Sequence, residues 1–553
     1  MGAANRRCDA MKVDAVIRAK IATWDPARPT ARAMAVHHGR VVAFDDDAEA
    51  LAPDATQREE RDGYLFPGFH DAHCHTVAFG LSLSELDLST PPIMTLAQLY
   101  RAVEERARAA PPGEWVIGTG YDQNKIGGHH PELHALDEAA HGHPVWLHHT
   151  SAHMCVINSA AASQIELPRV VDGGRVVFDD EGRFTGLLEE QAQLLVQRVV
   201  LPRSLDTIAA AIGRAHERYR SEGITSVCDA GVAGGWIGQS PAEIAAYQLA
   251  RERGLLGVRT TLMVAADVLG ELHGHRDDGF EGALGLPGGI RTGLGDDRLR
   301  IGPVKVFADG SLLGRTCWME EGFEDDPQNT GYPQADPDEL RRTIVGAHLA
   351  GWQVATHAIG DRAVRFVVDC YEEALARRPR RDHRHRIEHC GVTSEEALSR
   401  IAALGVVPVP QGRFIGEIGD GMRAALGPTR TRYAYRLRSF LAAGAVLPAS
   451  SDRPVVTGRP LLGIRDMVVR RTESGQPFGT EEAISAEEAL RAYSFGAAFA
   501  EHAEARRGGL RLGQLADYVV LSEDPRRVTP QDISSIEVLA TSRPADDPSC
   551  ATM

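Results

Sequence analysis

Between Pro67 and Thr76 the chain reads PGFHDAHCHT, with three histidines and an aspartate inside six positions. His73 and His75 stand two residues apart. On an extended segment, positions i and i+2 project to the same side, so both imidazoles can meet at one point. Neutral imidazole is the commonest metal-ligating side chain, and the pair therefore points to a bound cation. A polar turn with incidental histidines would give the same local pattern, and the pair alone does not separate the two readings. Further candidates stand at the ends of apolar runs: Lys305 in IGPVKVFADG, His357 in WQVATHAIGD, His389 in RHRIEHCG and Asp452 in AVLPASSDRP. Each by itself has an ordinary structural explanation. As an ordered set they describe a metal centre assembled from separate strands.

The elements that must position these residues are legible around them. LDTIAAAIGRAHERYRSEG leads into ITSVCDAG, DELRRTIVGAHLAG into WQVATHAIGD, SEEALSRIAALG into VVPVPQG, and YRLRSFLAAG into AVLPASSDRP. Each helical stretch closes on a glycine, and an apolar strand follows at once. Repeated units of this kind imply a parallel sheet flanked by helices, and this many units favour a closed barrel. Barrel enzymes carry their catalytic groups at the C-terminal ends of the strands, where these residues fall. Residues 13–66 and the segment GGLRLGQLADYVVL read instead as short strands with turns. The expected fold is α/β: a distorted TIM (β/α)8 barrel over 67–500, with insertions, and a small composite β-sandwich built from 11–66 and 501–540. Residues 1–10 and 541–553 read as disordered, and Met11 is a candidate start.

Composition narrows the partners. The chain has 553 residues and a formal net charge of −16, which argues against nucleic acid or an anionic membrane surface. The basic run ARRPRRDHRHR is short and reads as a solvated helix end. No leader and no run of eighteen apolar residues are visible, and the 8 cysteines lack a CxxC pair. A cytoplasmic protein with reduced thiols is expected, a homodimer being the one protein assembly allowed for. Loops after the strands bring His153, Trp318, Phe323, Tyr332 and Phe414 into consideration as pocket residues, with Asp309 beside them. That mixture suggests a medium-sized, partly apolar small-molecule substrate.

FPGFHDAHCHT resembles the metal-binding first-strand motif of the amidohydrolase superfamily. VKVFADGSLLGRT, THAIGDRAV, HRIEHC and SSDRPV, in this order, resemble its subgroup related to N-substituted formamide deformylases and YtcJ-like hydrolases (amidohydrolase family 3). The resemblance runs from about Val13 to Leu521 and agrees with the barrel reading. It implies two divalent cations, Zn2+ first among them, held by His73, His75, Lys305, His357, His389 and Asp452. It also implies that Lys305 is N-carboxylated and bridges the metals; an ordinary lysine paired with Asp309 is the alternative, and Glu190 is a substitute bridging ligand. The implied activity is hydrolysis of an amide-type C–N bond, with Asp452 as general acid/base and His389, or a metal, stabilising the oxyanion. A mononuclear deaminase-type amidohydrolase and a non-catalytic binding barrel are the competing readings. Three departures stand out: His70 where relatives carry an aliphatic residue, Gly412 in place of proline, and no recognisable final strand near IEVLATSRPADDPSC.

Overall fold

The computed structural model describes residues 12–235 and 237–543. Seven parallel strands lie side by side in chain order: β1 (Phe69–Cys74), β2 (Ile224–Val232), β3 (Arg259–Ala265), β4 (Leu299–Phe307), β5 (Val354–Ala358), β6 (Arg386–His389) and β7 (Val407–Val409). Helices Glu243–Glu252, Pro337–Leu349, Asp361–Arg377 and Glu395–Leu404 alternate with them. The last closes at Gly405 in the left-handed conformation (φ 70°), as a glycine stop requires. These strands are buried almost throughout, because helices cover the outer face and side chains fill the interior.

The eighth position of the barrel departs from expectation. Residues 445–452, read from AVLPASSD as a strand, run beside β1 without a regular ladder. The Ala72 amide donates to Ala449 O at 3.1 Å, and the Asp452 amide to His73 O at 2.8 Å. Pro448, just before Ala449, has no N–H to contribute. The barrel is therefore a seven-stranded sheet brought towards closure by individual bonds.

The two chain ends build one six-stranded sheet, not a two-sheet sandwich. Its order is Val538–Thr541, Tyr518–Leu521, Gln57–Pro67, Ala15–Asp25, Arg28–His37, Arg40–Phe44. Alternation along Arg28–His37 separates its two faces. Ala33 and Ala35 pack with Ala48 of the helix Asp45–Leu51, while Met34 and Val36 pack with Leu65 and Val520. Val538–Thr541, antiparallel to Tyr518–Leu521, is the final strand that sequence inspection missed. The stretches expected to be disordered lie outside the described residues, apart from 541–543.

Between β1 and β2, residues 86–190 form a second six-stranded mixed sheet with cores of its own. Its last strand, Phe184–Glu190, delivers Glu190 beside the barrel mouth. No helix among the described residues is long and apolar enough to cross a membrane.

Barrel and terminal sheet are joined by a buried ion pair: Arg259 at the start of β3 meets both oxygens of Asp517 at 2.7 and 3.0 Å. Asp517→Ala strands the guanidinium without its partner, and a loss of about 3–5 kcal/mol is expected. The urea-unfolding midpoint measures it.

Candidate metal centre

His73 and His75 leave β1 with rings 5.4 Å apart and nearly perpendicular. Their Nδ1 atoms are engaged: His73 donates to the Glu388 carboxylate, and His75 to the Ala230 carbonyl at 2.7 Å. His389, at the end of β6, donates from Nδ1 to Gln411 Oε1 at 2.7 Å. A neutral imidazole that donates from Nδ1 carries its lone pair on Nε2. The Nε2 atoms of His73 and His75 lie 3.2 and 3.0 Å from Asp452 Oδ1. Ligating atoms of His73, His389 and Asp452 all fall within 4.8 Å of one another. Asp452 Oδ1 is buried and has no hydrogen-bond donor among the described residues. A cation between a buried carboxylate oxygen and the imidazole lone pairs facing it would satisfy both, so these residues fit a divalent metal.

Lys305 and His357 extend the group. Lys305 Nζ, at the end of β4, is buried 3.3 Å from His73 Nε2. Burial lowers its pKa to about 8, with Glu388 and Asp452 opposing. His357 directs Nε2 at the Gly310 carbonyl (3.1 Å), which leaves its lone pair on Nδ1, and its ring stands 4.4 Å from that of His389. The structure thus gathers all six residues in one buried region at the strand ends. Burial drives the His389 pKa down to about 3 and also lowers those of His75 and His357. Imidazoles that shed their protons this readily are ready ligands. Burial pushes the Asp452 carboxyl the other way, but the closeness of His389, His73 and His75 holds it well below the usual range.

The supports of this group were not foreseen. Glu388 lies fully buried in the four-residue strand β6, two residues from Arg386, whose Nε donates to it at 2.7 Å. The run Arg386–Glu388–His73 is a chain of charge that fixes the imidazole's tautomer and plane. A clue was present in RIEH: alternation puts Arg386 and Glu388 on one face of a strand with no solvent on either side. His389 and Asp452 both have positive φ, 67° and 59°. Such backbone is costly outside glycine and persists where the surroundings over-determine it.

Other expected residues take different places. Glu190 uses its oxygens on His153 Nδ1 (2.7 Å), Gln334 Nε2 (2.9 Å) and the Thr316 hydroxyl, so it is a partner of His153 and not a substitute bridge. Gly310 permits this closeness, since a Cβ there would stand 2.4 Å from Glu190 Oε1. Burial lowers the His153 pKa, yet the charge and hydrogen bond of Glu190 raise it above the ordinary imidazole value. The His153 ring lies 5.2 Å from that of His357. Asp309 does not pair with Lys305; it accepts the amides of Trp318, Ile359 and Gly360 at 2.8–3.0 Å, and burial raises it to about 7.

The aromatic lining is corrected. Trp318 packs on Phe366 in the main core, and Phe323 lies fully buried in a separate cluster with Phe414. Phe414 also stacks behind His389, and the Tyr332 hydroxyl is buried in the region of Glu190. A cavity does reach His75, but its wall holds His148, Gln193, Gln197, Arg203 and Glu85, and none of the aromatic residues expected there. His70, the departure on β1, forms a buried pair with Glu501 at 2.7 Å.

Glu388→Gln removes the charge that orients His73. Metal affinity is expected to fall about 10- to 100-fold, measured by competition with a chromophoric chelator while circular dichroism stays unchanged.

A model of the amidohydrolase family matches residues 61–543. The chain is 29% identical over 500 residues to YtcJ of Bacillus subtilis, covering 89% of this chain and 90% of that protein. It is 27% identical over 540 residues to the N-substituted formamide deformylase of Arthrobacter pascens, covering 95% and 96%. Among solved structures it matches an uncharacterized metal-dependent hydrolase from Pyrococcus furiosus with a TM-score of 0.69 at 27% identity, covering 93% of this chain and 100% of the other.

Proposed function

Because the chain belongs to the amidohydrolase family over most of its length, we propose that it is a metal-dependent hydrolase cleaving a carbon–nitrogen bond of amide or formamide type. One observation carries this: imidazole lone pairs, a lysine and an unsatisfied carboxylate oxygen converge at the C-terminal ends of barrel strands. The Arthrobacter relative supports the bond type by its name. His73, His75, Lys305, His357, His389 and Asp452 would hold the cations, Zn2+ being the natural choice for such a donor set. Bound there, a divalent cation acidifies water and polarises a carbonyl.

The chain's own residues then move protons and orient groups. Asp452, held as a carboxylate, accepts the proton of the attacking water and returns it to the leaving nitrogen. His389 cannot stabilise the oxyanion by donating a hydrogen bond, because its Nδ1–H is committed to Gln411 and its Nε2 is the lone pair. His153, whose pKa is raised by the Glu190 beside it and which lies close to His357, is the better placed source of positive charge. Asp452→Asn should lower kcat by about 10²- to 10⁴-fold in stopped assays of amide hydrolysis, with the melting temperature preserved.

Lys305 is the second test. As a neutral amine it attacks CO2, forming a nitrogen–carbon bond and releasing a proton, and the resulting carbamate supplies the anionic charge that two cations need. Only the uncharged amine reacts. Its pKa of about 8 therefore predicts that metal-free protein labels with 13C-enriched CO2 faster as pH rises through 8. A carbamate carbon resonance that Lys305→Ala abolishes is the expected readout. The compact His73–His389–Asp452 group favours a one-metal, deaminase-type site as the alternative. One metal per chain without that resonance would select it.

A further inference from the structure

The cavity that opens against His75 has a volume of about 80 Å3. At roughly 10–15 Å3 per water-sized group, it accommodates about five to eight such groups. Its charged residues are Glu85 and Arg203, the latter on the chain just after the helix Leu194–Val200. Arg203 Nη2 donates to Glu85 Oε1 at 3.0 Å and Nε to Gln239 Oε1 at 3.2 Å. These bonds fix the plane of the guanidinium and use two of its edges. Its Nη1 has no acceptor among the described residues.

The rest of the wall mixes apolar side chains (Ala78, Leu81, Ile237 and Pro454) with neutral hydrogen-bonding groups. His148 contributes an imidazole that burial keeps uncharged, with a pKa near 3, and it makes no hydrogen bond among the described residues. Gln193 is anchored through Nε2 to the Ala152 carbonyl at 3.0 Å, which leaves its Oε1 for another partner. A pre-oriented guanidinium with one open donor edge, beside neutral hydrogen-bonding groups, matches the planar geometry of a carboxylate. Such a cavity cannot hold a long acyl chain without opening.

We propose that this cavity receives the carboxylate-bearing portion of a compact amide substrate, a short N-acyl amino acid in chemical class, with Arg203 as the residue that recognises its carboxylate. This rests on the hydrolase reading for the position of the scissile bond. In this reading the reacting amide lies towards His75, whose Nε2 is 3.0 Å from Asp452 Oδ1, and the anionic group towards Arg203. A charge-assisted hydrogen bond to an arginine is worth about 10- to 100-fold in affinity, so Arg203 sets specificity without entering the chemistry.

The test is calorimetric titration of the metal-replete protein with levulinate, the ketone isostere of N-acetylglycine, and with its uncharged amide, levulinamide. Levulinate should bind at least about 10-fold more tightly, and Arg203→Gln should remove most of that difference while leaving levulinamide unchanged. In hydrolysis of N-acetylglycine the same variant should raise KM with little change in kcat. Equal affinity for the two ligands in the wild-type protein overturns the inference, whatever the variant does. So does a levulinate affinity that Arg203→Gln leaves intact. Arg203-dependent binding of levulinate with no hydrolysis of any amide would instead count against the hydrolase reading and leave the carboxylate site standing.

Discussion

The site depends on one constraint: several buried imidazoles must present lone pairs, not protons, to the same small volume. Each ring has two nitrogens, and committing one to a hydrogen-bond acceptor decides the role of the other. Glu388, the Ala230 carbonyl and Gln411 hold Nδ1–H of His73, His75 and His389, while the Gly310 carbonyl holds Nε2–H of His357. Burial reinforces this by making protonation costly. The outcome is a concentration of electron density around Asp452 Oδ1 that only positive charge can balance.

The barrel exists to bring those atoms together. Parallel strands end on one side, so residues far apart in the chain reach one surface without long excursions. The loosest part of the barrel carries the most demanding residue. Residues 445–452 lack a ladder, and Asp452 reaches its place through a left-handed turn tied to the His73 carbonyl. A regular strand would alternate its side chains above and below the sheet; the irregular segment lets Asp452 face His73 and His75 directly. The buried ion pair of Arg386 and Glu388 ties β6 to β1 through His73 and the Ala72 carbonyl.

The inserted sheet contributes what a bare barrel lacks. It brings His153 and Glu190 to the barrel mouth as a pair, the glutamate raising the pKa of the histidine beside it. It also supplies His148 to the cavity against His75, and the chain that follows supplies Gln193, Gln197 and Arg203. On the proposed function, substrate choice would rest with the insert and the segment after it, and the donor set with the barrel.

The sequence by itself determined the repeating helix–glycine–strand units and the ordered ligand set, because backbone periodicity and residue type are local properties. It also exposed the two β segments at the chain ends, though not that they make a single sheet, and it missed Val538–Thr541. Glu388 and Gln411 went unrecognised because a carboxylate or amide that orients an imidazole has no fixed spacing from it. Of the aromatic residues chosen for the pocket, Trp318 and Phe323 turn into cores, since burying a large apolar ring is favoured wherever packing allows it, while Phe414 packs against His389. Arg203 could not be singled out from the chain's other arginines. Only the tertiary structure decided which nitrogen of each histidine is free, which carboxylate lacks a donor and which guanidinium edge faces a cavity, because these are matters of through-space contact between segments hundreds of residues apart.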